Sequence, residues 1–125
     1  MILDTNALSG WWGNDPGLVR IMAVQTQICV PVPALAEFRF GVLQSTKRDA
    51  MRKWMTEALT SIAILPVNDE TTHHYAVIRL ELKRVGRPIP MNDLWIAAIA
   101  RQHRLVLLSR DAHFDFVEHL QRVSW

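Results

Sequence analysis

"MNDLWIAAIARQHRLVLLS", Met91 to Ser109, decides between fold classes. Its first part, "MNDLWIAAIARQH", reads as a helix. The apolar residues from Leu94 to Ala100 bury it against a sheet, and the alanines allow close approach. Its last part, "RLVLLS", reads as a short strand. A helix leading directly into an apolar strand is one step of an alternating α/β chain. Asp93 opens the apolar run, where burying a carboxylate is costly.

The same alternation runs through the rest of the sequence. Met1 to Asp4 is a short apolar strand. "NDPGLVRIMAVQTQ" is a helix with Asp15 as N-cap and Pro16 at its first position. "ICVPV" is strand-like, and Pro31 within it signals an edge or an early stop. "PALAEFRFGVLQS" is a helix opened by Pro33. "TKRDAMRKWMTEALTSI" is an amphipathic helix with Met51, Trp54, Met55, Ala58, Leu59 and Ile62 as its apolar stripe. "AILPV" is a strand, "NDETTHHYAVIRLELKRVG" a long helix stopped by Gly86, and "RPIP" a loop. "RDAHFDF" is a loop or short helix, and "RVSW" a candidate last strand. Trp11 and Trp12 fall in a Gly-rich loop after the first strand, packed over the sheet's end. This rhythm predicts a three-layer α/β/α sandwich with a mostly parallel central sheet, in one domain over residues 1–125.

Composition narrows the function. Half of the 125 residues are hydrophobic, enough for a substantial core. A net charge of +2 permits a polyanionic partner without requiring one. Cys29 is the only cysteine, which excludes an internal disulfide and any multi-cysteine metal site; in "QICVPV" it reads as a small buried side chain. No apolar run is long enough to span a bilayer, and the start lacks signal-peptide character. The expected location is the cytoplasm.

The positions of the acids say more. In a parallel sheet, strand C-termini and the following helix N-termini share one edge, where ligands bind. Asp4 ends the first strand, Glu37 lies about one turn into the helix after the second, Asp93 begins the apolar helix, and Asp111 follows the "RLVLLS" strand by two residues. Each has an ordinary reading alone: a turn for Asp4, an N-cap for Asp93, loop polarity for Asp111. Glu37 resists one, because Arg39 two residues on does not face it on a helix. Four carboxylates at one edge are either partly protonated or held by a cation. Hard oxygen donors with no Cys or His in the cluster favour Mg²⁺ or Mn²⁺ over Zn²⁺.

At these residues the sequence resembles the PIN-domain ribonucleases, especially the VapC-type toxins of toxin–antitoxin pairs. The matching segments are "LDTN" (Leu3 to Asn6), "LAEFRFG" (Leu35 to Gly41), "NDLWIAAIA" (Asn92 to Ala100) and "LLSRDAHF" (Leu107 to Phe114). Proline stands before Glu37 where many relatives carry Ser or Thr as a helix cap. The resemblance implies that Asp4, Glu37, Asp93 and Asp111 are catalytic, with Asp4, Asp93 and Asp111 as metal ligands. It implies that Asn6 and Ser109 orient the acids and that Thr5 has a structural part. It also implies Mg²⁺- or Mn²⁺-dependent cleavage of RNA phosphodiesters, a VapB-like antitoxin partner and a homodimer.

Arg39, Arg87 and Arg110 are candidates for holding the RNA backbone. Asp115 is a weaker metal candidate, and His113 is a candidate substrate contact not assigned to catalysis. The alternative is a non-catalytic metal- or nucleic-acid-binding module on the same fold. A haloacid-dehalogenase-like phosphatase is disfavoured, because Asn6 stands where its second Asp would be. A receiver domain is disfavoured because Asp4 has no acidic neighbour.

Overall fold

The computed structural model describes residues Met1–Trp125. Five short parallel strands form one sheet: β1 (Ile2–Leu3), β2 (Cys29–Pro31), β3 (Ala63–Leu65), β4 (Leu107–Leu108) and β5 (Arg122–Val123). The spatial order is β3-β2-β1-β4-β5. Six helices complete a three-layer α/β/α fold: α1 (Thr5–Trp12), α2 (Pro16–Ala23), α3 (Val32–Gln44), α4 (Arg48–Ala58), α5 (Asp69–Arg84) and α6 (Met91–Gln102). A 3₁₀ turn, Ala112–Phe116, connects β4 to β5.

Parallel strands covered by helices on both faces are apolar on both faces. Ile2, Leu3, Leu107 and Leu108 are all fully buried. So are Ile96, Ala97, Ala98, Ile99 and Ala100, which makes α6 apolar around its whole circumference. The small residues let it pack against both α5 and α3. Arg101 of α6 forks onto Glu81 of α5 with contacts of 2.7 and 3.1 Å. An Asn68–Thr71 capping box opens α5.

Three expectations change. The segment after β1 is a helix, α1, and not a loop. Asp4 caps it by accepting from the Thr5 N–H, and the polar "DTN" that suggests a turn is this cap. Gly10, which also suggests a loop, is a helical glycine at a close approach. A Cβ there would lie 3.1 Å from Leu18 Cδ2 and 3.2 Å from Trp125 Cζ2. Trp11 and Trp12 consequently sit on α1, where both meet the Trp54 ring of α4 edge-on, with centroids 5.2 and 5.7 Å away. Phe38 of α3 joins the same cluster at 5.8 Å.

The second change concerns Pro31. β2 lies inside the sheet between β3 and β1, so this proline marks the strand's end rather than an edge. As the N-cap residue of α3, it stands where a lost N–H costs little. Third, α2 and α4 are shorter than their apolar patterns suggest, ending at Ala23 and Ala58.

Candidate functional site

Strand order creates the site. From β1 the chain builds outward through β2 and β3 on one side, while β4 and β5 lie on the other. The junction of β1 and β4 is therefore a topological switch point, the place where open α/β sheets bind ligands. Asp4 leaves the end of β1, and Ser109 to Asp111 leave the end of β4.

The two strand exits are tied together by polar side chains. Asp4 Oδ1 accepts from the Thr5 N–H at 2.6 Å. Asp4 Oδ2 accepts from Asn6 Nδ2 at 2.8 Å and from the Ser109 hydroxyl at 2.7 Å. The Ser109 hydroxyl also accepts from the Asp111 N–H at 2.9 Å, and Asn6 Oδ1 accepts from the Arg110 N–H at 3.2 Å. Asp4 and Ser109 are buried, so these contacts satisfy groups that water cannot reach. The Thr5 hydroxyl donates to Glu37 Oε2 at 2.6 Å, joining α1 to α3. Asn92 Nδ2 donates to the Pro33 carbonyl at 3.4 Å, tying the start of α6 to the start of α3.

Asp93 lies in the first turn of α6, whose N-cap is Pro90, so it does not cap its helix. Burial pushes its carboxyl up to about 6, and the charges of Asp4, Asp111 and Glu37 push the same way, with His113 opposing. Burial also raises Asp4; the Ser109 hydroxyl and Thr5 N–H pull it down, and the charges of Asp111 and Glu37 add to the rise. The fold thus brings Asp4 and Asp93 within electrostatic reach of each other and of both Asp111 and Glu37. Such a set stores repulsion that a divalent cation relieves.

One set of donor atoms lies close enough to share an ion, and it includes an imidazole. Asp93, Asp111 and His113 each offer one atom within 4.8 Å of the others. His113 Nδ1 is 3.1 Å from Asp111 Oδ1 and 3.9 Å from Asp93 Oδ2. An imidazole therefore borders a pocket expected to hold carboxylates only. Its trace in the sequence is its position two residues after Asp111, where the 3₁₀ turn folds the side chain back. Asn92, one position from Asp93, carries no such signal in the sequence.

The remaining candidates have other neighbours. Asp115 makes a two-pronged contact with Arg122 of β5, both distances 2.7 Å, and that pairing holds its carboxyl below the usual range. The Arg110 guanidinium bonds Asp15 at 2.8 Å and lies over the Trp125 ring at 4.4 Å. Arg87 lies over the Phe116 ring at 4.8 Å. Arg39 is exposed on α3, two positions from Glu37.

The donor chemistry fits a hard or borderline divalent ion: clustered carboxylates, two of them raised by burial and mutual repulsion.

The family model described as PIN domain matches residues 1–120. Ribonuclease VapC5 of Mycobacterium tuberculosis is 34% identical over 93 residues, covering 73% of this chain and 69% of the relative. The tRNA(fMet)-specific endonuclease VapC of Shigella flexneri is 28% identical over 127 aligned positions, covering 99% of this chain and 96% of the relative. The solved structure of VapBC-1 from nontypeable Haemophilus influenzae superposes with a TM-score of 0.87 at 26% identity, covering 99% of this chain and 96% of that one.

Proposed function

We propose that this chain, which belongs to the PIN-domain family, is a divalent-metal-dependent ribonuclease and the toxin of a toxin–antitoxin pair. The observation that carries the reading is the convergence of Asp4, Glu37, Asp93 and Asp111, from four separate segments, at the β1/β4 switch point. Relatives named ribonuclease over most of the chain support it.

Bound Mg²⁺ or Mn²⁺ would neutralise phosphate oxygens and lower the pKa of water in the pocket. The protein's part is positioning. Asp93 and Asp111 would hold the cation. Asp4 is held by Thr5, Asn6 and Ser109 so that its charge adds to the pocket's field. Glu37 is exposed and held through one oxygen by Thr5, which leaves the other free to accept a proton from the attacking water. Water attacks the phosphorus, the bond to the 3′ oxygen breaks, and that oxygen takes a proton from solvent, to which Glu37 returns the one it accepted. The products carry 5′-phosphate and 3′-hydroxyl ends. Arg39 is the candidate phosphate contact with the fewest other commitments.

The solved VapBC neighbours support a VapB-like antitoxin as the partner. Phe40 and Leu43 of α3, 63% and 60% exposed, offer apolar surface on the helix that carries Glu37. The reading includes a homodimer acting in the cytoplasm; no helix is long and apolar enough to cross a membrane.

The test is incubation of purified protein with RNA in Mg²⁺, in Mn²⁺ and in EDTA, alongside Asp4→Asn. Initiator tRNA is the first substrate to try, because the Shigella flexneri relative is named for it. Cleavage is expected only with metal and an intact Asp4. Cyclic phosphate ends would refute the mechanism. Metal binding without any RNA cleavage would favour a non-catalytic module.

A further inference from the structure

Imidazole beside an oxygen-donor pocket changes which ion the pocket prefers. His113 follows Asp111 by two residues, and the intervening 3₁₀ turn is held by Asp111 Oδ1 accepting the His113 N–H at 2.9 Å. That turn brings His113 Nδ1 to 3.1 Å from the same carboxylate oxygen and 3.9 Å from Asp93 Oδ2. The 3.1 Å approach lacks the alignment of a hydrogen bond. Two donors on one ion, each about 2.1 Å from it and at right angles, stand about 3 Å apart. The spacing from Nδ1 to Asp111 is close to that value, and all three donor atoms lie within 4.8 Å of one another. Asp4 is less available, since its two oxygens already accept three hydrogen bonds.

We propose that His113 is a direct ligand of the divalent ion through Nδ1, completing a two-carboxylate, one-imidazole set with Asp93 and Asp111. An imidazole moves the set away from Mg²⁺, which takes hard oxygen donors and dehydrates reluctantly, and toward first-row transition ions; of the two ions expected from the sequence, Mn²⁺ is the one that accepts a nitrogen donor. The set therefore favours Mn²⁺ over Mg²⁺. The His113 side chain is 51% exposed, so it can reach an entering ion without disturbing the core. This assignment rests on the metal-dependent reading above and specifies its ligands.

The test is Mn²⁺ binding to the metal-free protein, followed by electron paramagnetic resonance, with Mg²⁺ affinity measured by competition. Wild-type protein should bind Mn²⁺ with nitrogen hyperfine coupling from a coordinated ring. His113→Ala should remove that coupling and weaken Mn²⁺ binding at least about tenfold, the lower range seen even for outer-shell partners. Mg²⁺ affinity should fall less than about threefold, since oxygen donors carry it. His113→Gln should not restore Mn²⁺ binding; rescue would mean that a ring nitrogen is not required at this position, and would overturn the assignment. Bound Mn²⁺ without nitrogen coupling in the wild type would also overturn it, while leaving the nuclease reading intact. A wild-type protein that binds no Mn²⁺ would overturn both.

Discussion

Asp93→Asn should make the metal-free protein more stable at neutral pH while removing a ligand. Asp93 titrates near 6 in the folded chain, against an ordinary value of 3.8. A difference of about 2 pKa units corresponds to about 3 kcal/mol of strain once the group is charged. The Asp93 side chain is 14% exposed and stands beside the exposed His113. Solvent screening there reduces the figure to about 1.5 kcal/mol. The sign follows from proton binding. Between pH 3.8 and about 6 the folded state holds more protons than the unfolded one, so stability falls as pH rises through that window. Removing the charge recovers the loss above pH 6 and changes little below pH 3.8. At about 2.1 cal/mol/K per residue, the 125 residues have an unfolding entropy near 0.26 kcal/mol/K, so 1.5 kcal/mol is a shift of about 6 °C. The assay is thermal unfolding in EDTA across pH 4 to 8. The Asp93→Asn variant is expected to melt about 4–6 °C above wild type at pH 7.5, with the gap closing toward pH 4. Adding Mn²⁺ should raise the wild-type midpoint and leave the variant's nearly unmoved. A variant that melts below wild type in EDTA at pH 7.5, or a gap independent of pH, would refute the repulsion argument.

Ser109→Ala removes a buried hydroxyl that donates to Asp4 and accepts from the Asp111 N–H. It should cost about 1–3 kcal/mol in urea unfolding and lower RNA cleavage strongly. Asp115→Asn breaks the fork with Arg122 but lies outside the tight donor set, so Mn²⁺ affinity by calorimetry should stay within about twofold of wild type. A large loss would restore Asp115 as a ligand. Gly10→Ala should lower stability by about 1 kcal/mol in the same urea assay, despite alanine's better helix propensity, because fully buried Leu18 has little room to yield.

The alternating class of the fold follows from local pattern. A run such as Leu94 to Ala100 has only one economical place to go, against a sheet, and the short apolar segments around it are the sheet's strands. The four acids are likewise visible in the chain, because parallel topology puts strand exits and helix starts at one edge whatever the strand order. Long-range contact determined the rest. Nothing in Ile2–Leu3 says that a two-residue strand sits at the centre of five; that depends on pairing with residues more than a hundred positions away. Helix α1 is hidden because Gly10 and the "DTN" cap suggest a loop until the chain folds Leu18 and Trp125 against that glycine. Arg110 and Asp115 read as free polar groups until Asp15, Trp125 and Arg122 arrive beside them. His113 shows the same limit at the site. Its spacing from Asp111 is plain in the sequence, but its direction is set by a 3₁₀ turn packed beside α6, and a side chain's neighbours across the fold have no local signature.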